Sequence, residues 1–286
     1  MKFTKMHGCG NDYIYIEDIT GEKYINRPQR LVEMAQSLSN RRKGIGADGI
    51  ILITASKVAD FGMEIINADG SIAEMCGNGI RCVGKYVYEH KLTKHKFITI
   101  ETRAGIKELE LMTLHGMVTS VKVNMGSPIL DVYKMNLNYH GDLQRLIDIR
   151  IDAEGPKEIT CVSMGNPHAV MFVGDTLRTD VKKIGSMIEH HSLFPQRTNV
   201  EFVQMLGSTE LQMRVWERGS GETFACGTGA CASVIAAIVH GYTKNKVMVH
   251  LLGGDLLIEY APSQDIIYMT GPAVTVYEGE TVEYVN

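Results

Sequence analysis

The sequence predicts an α+β protein of two similar lobes, each built of mixed or antiparallel β-structure wrapped around a helix. Three observations carry this. Strand-like runs far outnumber helical stretches, which does not fit a regular βαβ alternation and favours mixed or antiparallel sheets around a few helices. The stretch 229–239, GACASVIAAIV, has no polar stripe at any phase, so as a helix it must be buried on all sides, as a surrounding sheet would bury it. Laying residue 76 on residue 226 brings out an internal repeat, with ordered matches at offsets of 150 to 155.

In the first half the strand-like runs are YIYIED (13–18), GIILIT (49–54), FITIET (97–102), KELELM (107–112) and SVKVNM (120–125). In the second half they are AVMFVG (169–174), NVEFVQ (199–204), LQMRVWE (211–217), VMVHLL (247–252), DLLIEY (255–260) and DIIYMTG (265–271). All are short, rich in β-branched or aromatic residues, and bounded by turn formers. Helical stretches are RLVEMAQSLSNR (30–41), GIRCVGKYVYEHK (79–91), DTLRTDVKKIGSMIEHH (175–191) and GTGACASVIAAIVHGY (227–242). The helix after Cys76 carries Arg81 and Lys85, so its cover is expected to be less even than that of the helix after Cys226.

Within the repeat, Asn67 falls on Glu217, each nine residues before its cysteine. GNDYIYI (10–16) matches GNPHAVMFV (165–173), and GADGIILI (46–53) sits opposite RTNVEFVQ (197–204). The lobes are expected to be 1–126 plus 272–286, and 127–271, with the last strand, PAVTVYEGETVEYVN, returning to the first lobe. A length of 286 residues suits two domains of roughly 120 to 150 residues.

Charge and composition exclude several function classes. The net charge of −4 comes from 33 acidic and 29 basic residues mixed along the chain, so no basic face for nucleic acid is expected. The N-terminus lacks the apolar core of a signal peptide and no apolar stretch reaches the roughly 18 residues of a membrane span, which points to a soluble, cytoplasmic protein with no membrane partner. Six cysteines in so long a chain without a secretion signal point to reduced thiols. Neither the Cys76/Cys82 pair nor the Cys226/Cys231 pair has the spacing of a zinc knuckle, so no metal is expected.

The chemistry concentrates at two corners, MCGNG (75–79) and ACGTG (225–229). A glycine-rich corner opening a helix presents unpaired N–H groups and a partial positive charge, a natural site for an anion, and a thiol there is expected to be more acidic than usual. If two such lobes pack about a pseudo-twofold axis, the corners face each other across a cleft. The N–H groups would then grip a carboxylate while one sulfur stands on each face of the adjacent carbon, which is the geometry of a racemase.

Together the motifs MHGCGNDYIYI, NADGS…MCGNGIRC, GNPHAV, TNVEF and ERGSGETFACGTGACA resemble diaminopimelate epimerase, over residue 2 to about residue 277. The resemblance implies lobes of mixed β-structure each around a central helix, an active site in the cleft between them, no cofactor, and a homodimer. It implies epimerisation of LL-2,6-diaminopimelate to the meso isomer, with Cys76 and Cys226 as the acid/base pair. Gly77, Asn78, Gly227 and Thr228 would surround the reacting carboxylate, and Asn11, Asn67, Asn166, Asn199, Glu217 and Arg218 would bind the far end. His168 and Glu217 are candidates for acid/base support. Cys9, Cys82, Cys161 and Cys231 are read as structural.

At Asp48-Gly49 the chain departs from relatives that carry glutamine after the aspartate, and no side-chain contact is carried over there. Proline racemase has histidine where this chain has Asn78; phenazine-pathway isomerases of the same fold lack the cysteine pair; a two-cysteine histidine racemase is the nearest rival. From a different class, a thiol redox or metal-binding protein would also use facing cysteines.

Overall fold

The computed structural model of the chain describes residues 1–21, 24 and 27–282. The first stretch of elements is β1 (Lys2–Gly8), β2 (Asn11–Asp18), α1 (Pro28–Leu38), β3 (Gly49–Thr54), β4 (Phe61–Asn67), β5 (Ile72–Ala73), α2 (Gly77–Glu89), β6 (Phe97–Thr102), β7 (Gly105–Leu114) and β8 (Met117–Gly126). Then come β9 (Ile149–Asp152), β10 (Pro156–Ser163), β11 (Pro167–Phe172), α3 (Val181–Glu189), β12 (Asn199–Met205), β13 (Glu210–Glu217), β14 (Gly221–Thr223) and α4 (Gly227–Val239). The chain closes with β15 (Lys246–Leu251), β16 (Gly254–Ala261), β17 (Ile266–Gly271) and β18 (Val274–Glu280). It is a sheet-dominated α+β protein with few helices. No helix among the described residues is long and apolar enough to cross a membrane.

The chain divides into two compact units, one of Met1–Val123 with the segment from Gly271 onward, the other Asn124–Thr270. In the first, β1 lies antiparallel to both β18 and β2, β2 pairs parallel with β3, and β3 antiparallel with β4. β4 takes β5 antiparallel and β6 parallel, and β6, β7 and β8 form a meander. The second unit repeats that order. β10 lies antiparallel to β9 and β11, β11 pairs parallel with β12, and β12 antiparallel with β13. β13 takes β14 antiparallel and β15 parallel, and β15, β16 and β17 form the meander.

The pairing register corrects one match in the repeat. Tyr13 pairs with Gly49 as His168 pairs with Asn199, so Gly49 corresponds to Asn199 and Ile51 to Glu201, one residue from the match of 46–53 with 197–204. Asn67 still corresponds to Glu217, because Gly49 pairs with Asn67 and Val200 with Trp216. One residue of slip would turn every side chain to the other face, so the ladder rather than residue similarity decides.

Several strands lie outside the runs expected from composition: β1, β4, β5, β9, β10 and β14. KFTKMHG is broken by charges and glycine, yet β1 is held between β2 and β18. Tertiary pairing overrides weak local propensity there. The Cys9-Gly10 link between β1 and β2, with φ of 52° and 83°, is a two-residue turn of the kind that hairpins favour. Residues 283–286 of the expected last strand lie outside the described residues; the part before them forms β18 and pairs with β1.

Helix ends differ from expectation where side chains intervene. α3 begins at Val181 rather than 175, because the Asp175 carboxylate takes the N–H groups of Leu177 and Arg178 into a turn and Asp180 caps the helix through Lys183 N–H. α1 stops at Leu38, and Asn40 Oδ1 takes the N–H groups of Arg42 and Lys43.

The two central helices organise the units. α4 packs on β10, β11, β12, β13 and β16 and is buried without a break from Gly229 to Ala237, with each buried Val or Ile contributing about 1.5–3 kcal/mol. α2 packs on β1, β2 and β7. Its cover is not the uneven one expected: Gly77 to Val87 is buried throughout, including Arg81 and Lys85. The charges are tolerated because buried or half-buried acceptors meet them. Arg81 donates to Gly77 O (3.0 Å), Asn78 Oδ1 (2.9 Å) and Pro272 O (3.1 Å), and Lys85 Nζ reaches Glu89 Oε1 (2.6 Å) and Val118 O (3.1 Å).

Arg81→Met keeps the volume and removes the donors to two buried acceptors, Gly77 O and Asn78 Oδ1, and to the half-buried Pro272 O. Its expected cost is about 3 kcal/mol or more, since each orphaned acceptor costs about 1–3 kcal/mol. Urea denaturation measures it, and an unchanged midpoint would show the network to be dispensable.

Candidate active site

Each unit leads a strand, a turn and a short strand into a cysteine that opens its central helix. Asn67 ends β4 and Glu217 ends β13; each carbonyl accepts an N–H within the turn that follows, from Gly70 and from Ser220. Glycines at positive φ, Gly70 (90°) and Gly219 (77°), permit those turns. Cys76 and Cys226 are then the N-caps of α2 and α4, with matching backbone angles of φ −137°, ψ 113° and φ −121°, ψ 112°. In both, Sγ accepts the N–H three residues on, from Gly79 and Gly229, at 3.3 Å. Gly77, Asn78, Gly227 and Thr228 make the first helical turns, where N–H groups lack intrahelical acceptors and the helix dipole is positive.

At the first corner Cys76 is half-buried and its thiol donates to Asn11 Oδ1 at 3.1 Å. Asn11 is held in turn by Asp48, whose Oδ2 accepts from Asn11 Nδ2 (2.8 Å) and whose Oδ1 accepts from Arg41 (2.9 Å). Tyr13 is buried beside them. Burial raises its phenol well above the ordinary value, with the neighbouring Cys76 and Asp48 acting in the same direction. Asn67 Nδ2 donates to Ser71 Oγ at 3.0 Å. The Asn78 side chain is buried and tied to Arg81.

At the second corner Cys226 is buried, and its sulfur lies 3.5 Å from Thr228 Oγ1. Thr228 accepts from Asn166 Nδ2 (3.3 Å), and Asn166 Oδ1 is 3.1 Å from His168 Nε2. His168 Nδ1 lies 2.7 Å from Glu201 Oε1, both side chains fully buried. Asn199 Oδ1 accepts the Arg218 N–H at 2.9 Å, and Arg218 itself is exposed. Thr223 donates a short hydrogen bond to the Glu217 carboxylate.

The acidity expected of a helix-capping thiol is reversed at Cys226. Burial pushes this thiol well above its ordinary value, and the carboxylates of Glu217 and Glu201 push it further, outweighing the Gly229 N–H. Burial also raises Glu217. Cys226 therefore rests protonated. Because Cys76 is half-exposed and Cys226 is both buried and protonated, iodoacetamide should label Cys76 at least about tenfold faster. Peptide mass spectrometry after timed quenching reads this; equal rates would contradict the burial.

Cys82 and Cys161 are fully buried, and burial raises their thiols to about 11 and about 12; Cys9 and Cys231 are buried too. A Cβ at Gly49 would lie 2.4 Å from Ile66 O, so this backbone has no room for a side chain there. Among the described residues no three His, Cys, Asp or Glu side chains gather as a metal would need. Sequence reasoning did not single out Tyr13, Arg41 or Glu201, and named Asp48 only beside Gly49. The signal available for Tyr13 was its match to His168 in the repeat.

The model of the family described as diaminopimelate epimerase matches residues 3–130 and 160–276. A diaminopimelate epimerase of Agathobacter rectalis is 54% identical over 287 residues, covering 98% of this chain and 99% of that protein. One of Acetivibrio thermocellus is 51% identical over 280 residues, covering 98% of each. Among solved structures, a probable proline racemase from Agrobacterium radiobacter with bound carbonate superposes with a TM-score of 0.70 at 14% identity, covering 99% of this chain and 93% of that one. A Bacillus anthracis phenazine biosynthesis protein of the PhzF family gives 0.69 at 16%, covering 99% of both. Those two share the fold. With two cysteine-capped helices set in repeated sheets and half of its residues shared with these relatives along the whole length, the chain belongs to the diaminopimelate epimerase family.

Proposed function

We propose that this enzyme interconverts LL-2,6-diaminopimelate and meso-diaminopimelate without a cofactor, Cys76 and Cys226 being its two acid/base groups. The observation that carries the reading is the repeated corner: in each unit a cysteine caps the central helix through the glycine N–H three residues on. Helix-end N–H groups suit the α-carboxylate of an amino acid. One thiolate removes the α-proton, and the electron pair left on carbon delocalises into the carboxylate that Gly77, Asn78, Gly227 and Thr228 surround. The other cysteine then delivers its proton to the opposite face. Cys226, which rests as a thiol, is the donor when Cys76 acts as base. The two must hold opposite protonation states at the start of each turnover.

The far end of the substrate is a second amino-acid head, with one ammonium and one carboxylate. Arg218 suits the carboxylate, Glu217 the ammonium, and Asn11, Asn67, Asn166 and Asn199 either. His168 supports the second corner through its bonds to Asn166 and Glu201. The same reading makes the protein a cytoplasmic homodimer of lysine biosynthesis, with neither nucleic acid nor membrane as partner.

Proton NMR in deuterium oxide tests it, with reduced protein, LL-diaminopimelate, chelator and no pyridoxal phosphate. Loss of an α-proton signal together with appearance of the meso isomer is expected. Silence with diaminopimelate, but exchange with histidine or proline under the same conditions, would move the assignment to another two-cysteine racemase.

A further inference from the structure

Beneath the first turn of α4 lies a carboxylate that composition and motif did not mark. Glu201 is fully buried on β12, with Oε1 2.7 Å from His168 Nδ1. Its other oxygen, Oε2, is buried with no hydrogen-bond partner among the described residues. A Cβ on Gly229 would lie 2.6 Å from Glu201 Oε1 and 3.2 Å from Cys226 Sγ, so the carboxylate sits directly against the helix turn that the cysteine caps.

Packing alone does not call for an ion pair there. By register, the first unit places Ile51 where the second has Glu201, and Tyr13 where it has His168. The corresponding glycine, Gly79, is seated against Ile51, with its Cβ position 2.6 Å from Ile51 Cδ1. The same turn of helix is thus supported by a plain apolar side chain. Burying a carboxylate costs several kcal/mol unless it is paired, so the second unit carries Glu201 at a cost that support of the helix does not explain.

The hydrogen bonds supply an explanation. His168 Nε2 faces Asn166 Oδ1 at 3.1 Å, and Asn166 Nδ2 faces Thr228 Oγ1 at 3.3 Å. A hydroxyl donates or accepts equally well, so Thr228 leaves the Asn166 amide able to sit either way round. The imidazole ring decides. A neutral ring with its proton on Nδ1 presents a lone pair at Nε2 and draws the amide NH2; an imidazolium presents N–H and draws the amide oxygen. Nε2 facing the amide oxygen calls for a proton on that nitrogen, and the Glu201 carboxylate 2.7 Å from Nδ1 calls for one on the other; the ring that meets both acceptors is the imidazolium.

We infer that Glu201 is a positioning residue: it holds His168 doubly protonated, which fixes Asn166 with its NH2, not its oxygen, at the first turn of α4. The second corner then offers donors to a substrate carboxylate where a flipped amide would offer an acceptor. The other ionisable groups around Glu201 are Glu217 and Cys226. The substrate in this inference rests on the proposed epimerisation; the ring state does not.

Nitrogen NMR of histidine-labelled protein tests it, with the His168 signals assigned by their loss in His168→Gln. A doubly protonated ring at neutral pH is expected in the native protein, and a singly protonated one overturns the inference. Glu201→Gln keeps the shape and removes the charge. It should give a neutral His168 ring with its proton on Nδ1 and raise KM for LL-diaminopimelate about tenfold or more, with a smaller change in kcat, the scale of one lost charge-assisted bond. A variant ring that stays doubly protonated, or a neutral ring with KM unchanged, would overturn it. If the native protein leaves diaminopimelate untouched, the substrate assignment fails while the ring state still decides the role of Glu201.

Discussion

Cys76→Ala and Cys226→Ala are each expected to lower epimerisation by at least about a thousandfold, because general acid/base groups contribute about 10²–10⁴ and inversion needs one on each face. Neither should unfold the chain. Each removes one N-cap hydrogen bond to a glycine N–H, a change of about 1 kcal/mol. A single remaining cysteine can still take a proton from its own face and return one there. In deuterium oxide each variant should therefore wash out the α-proton of one isomer without forming the other, so two assays separate the roles: isomer analysis for inversion, NMR for exchange. Near-native turnover in either variant would sink the two-base mechanism.

Gly229→Ala should be more damaging than Gly79→Ala, its counterpart in the first unit. The added methyl falls 2.6 Å from Glu201 Oε1 and 3.2 Å from Cys226 Sγ. Alanine in a helix is ordinarily favoured over glycine by roughly 0.5–1 kcal/mol, whereas overpacking a filled site costs about 1–3 kcal/mol. The clash wins because Glu201 cannot give way: it is fully buried and bound to His168. The expected result is a net loss of about 2 kcal/mol in urea denaturation and about a hundredfold loss of turnover, the scale at which a shift of about 1 Å is felt in a catalytic site. Gly79→Ala is the internal comparison. Its methyl meets Ile51 Cδ1 at 2.6 Å, the far end of an apolar side chain that can rotate, so its effect should be smaller. Equal effects in the two variants would mean that the Glu201 carboxylate is not rigidly held.

The strands around Tyr13, Ile51 and Val200 were legible from their β-branched and aromatic runs, and α4 from its unbroken apolar sequence. Those signals are local. β1 and β10 were not legible, since KFTKMHG and PKEITCVS become strands through the ladders on either side of them, β18 and β2 for the first and β9 and β11 for the second, rather than through their own composition. The cysteine corners were legible because glycine turns are written in consecutive residues, whereas Asn166, Asn199 and Glu217 entered as site residues only through the family that their motifs resemble. Glu201 was not: in TNVEF it reads as one more strand residue, and its role arises from His168 on β11 and Gly229 on α4.

By itself the sequence determined the sheet-rich class, the repeat, the burial of α4 and the two capped corners, because each depends on backbone preference, side-chain size or spacing within a few residues. Only the tertiary structure decided the register that makes Ile51 the counterpart of Glu201, the full burial of Arg81 within its own acceptors, and the weakened rather than strengthened acidity of the Cys226 thiol. Desolvation and the field of neighbouring charges depend on what the folded chain brings against a group, and no stretch of consecutive residues specifies that.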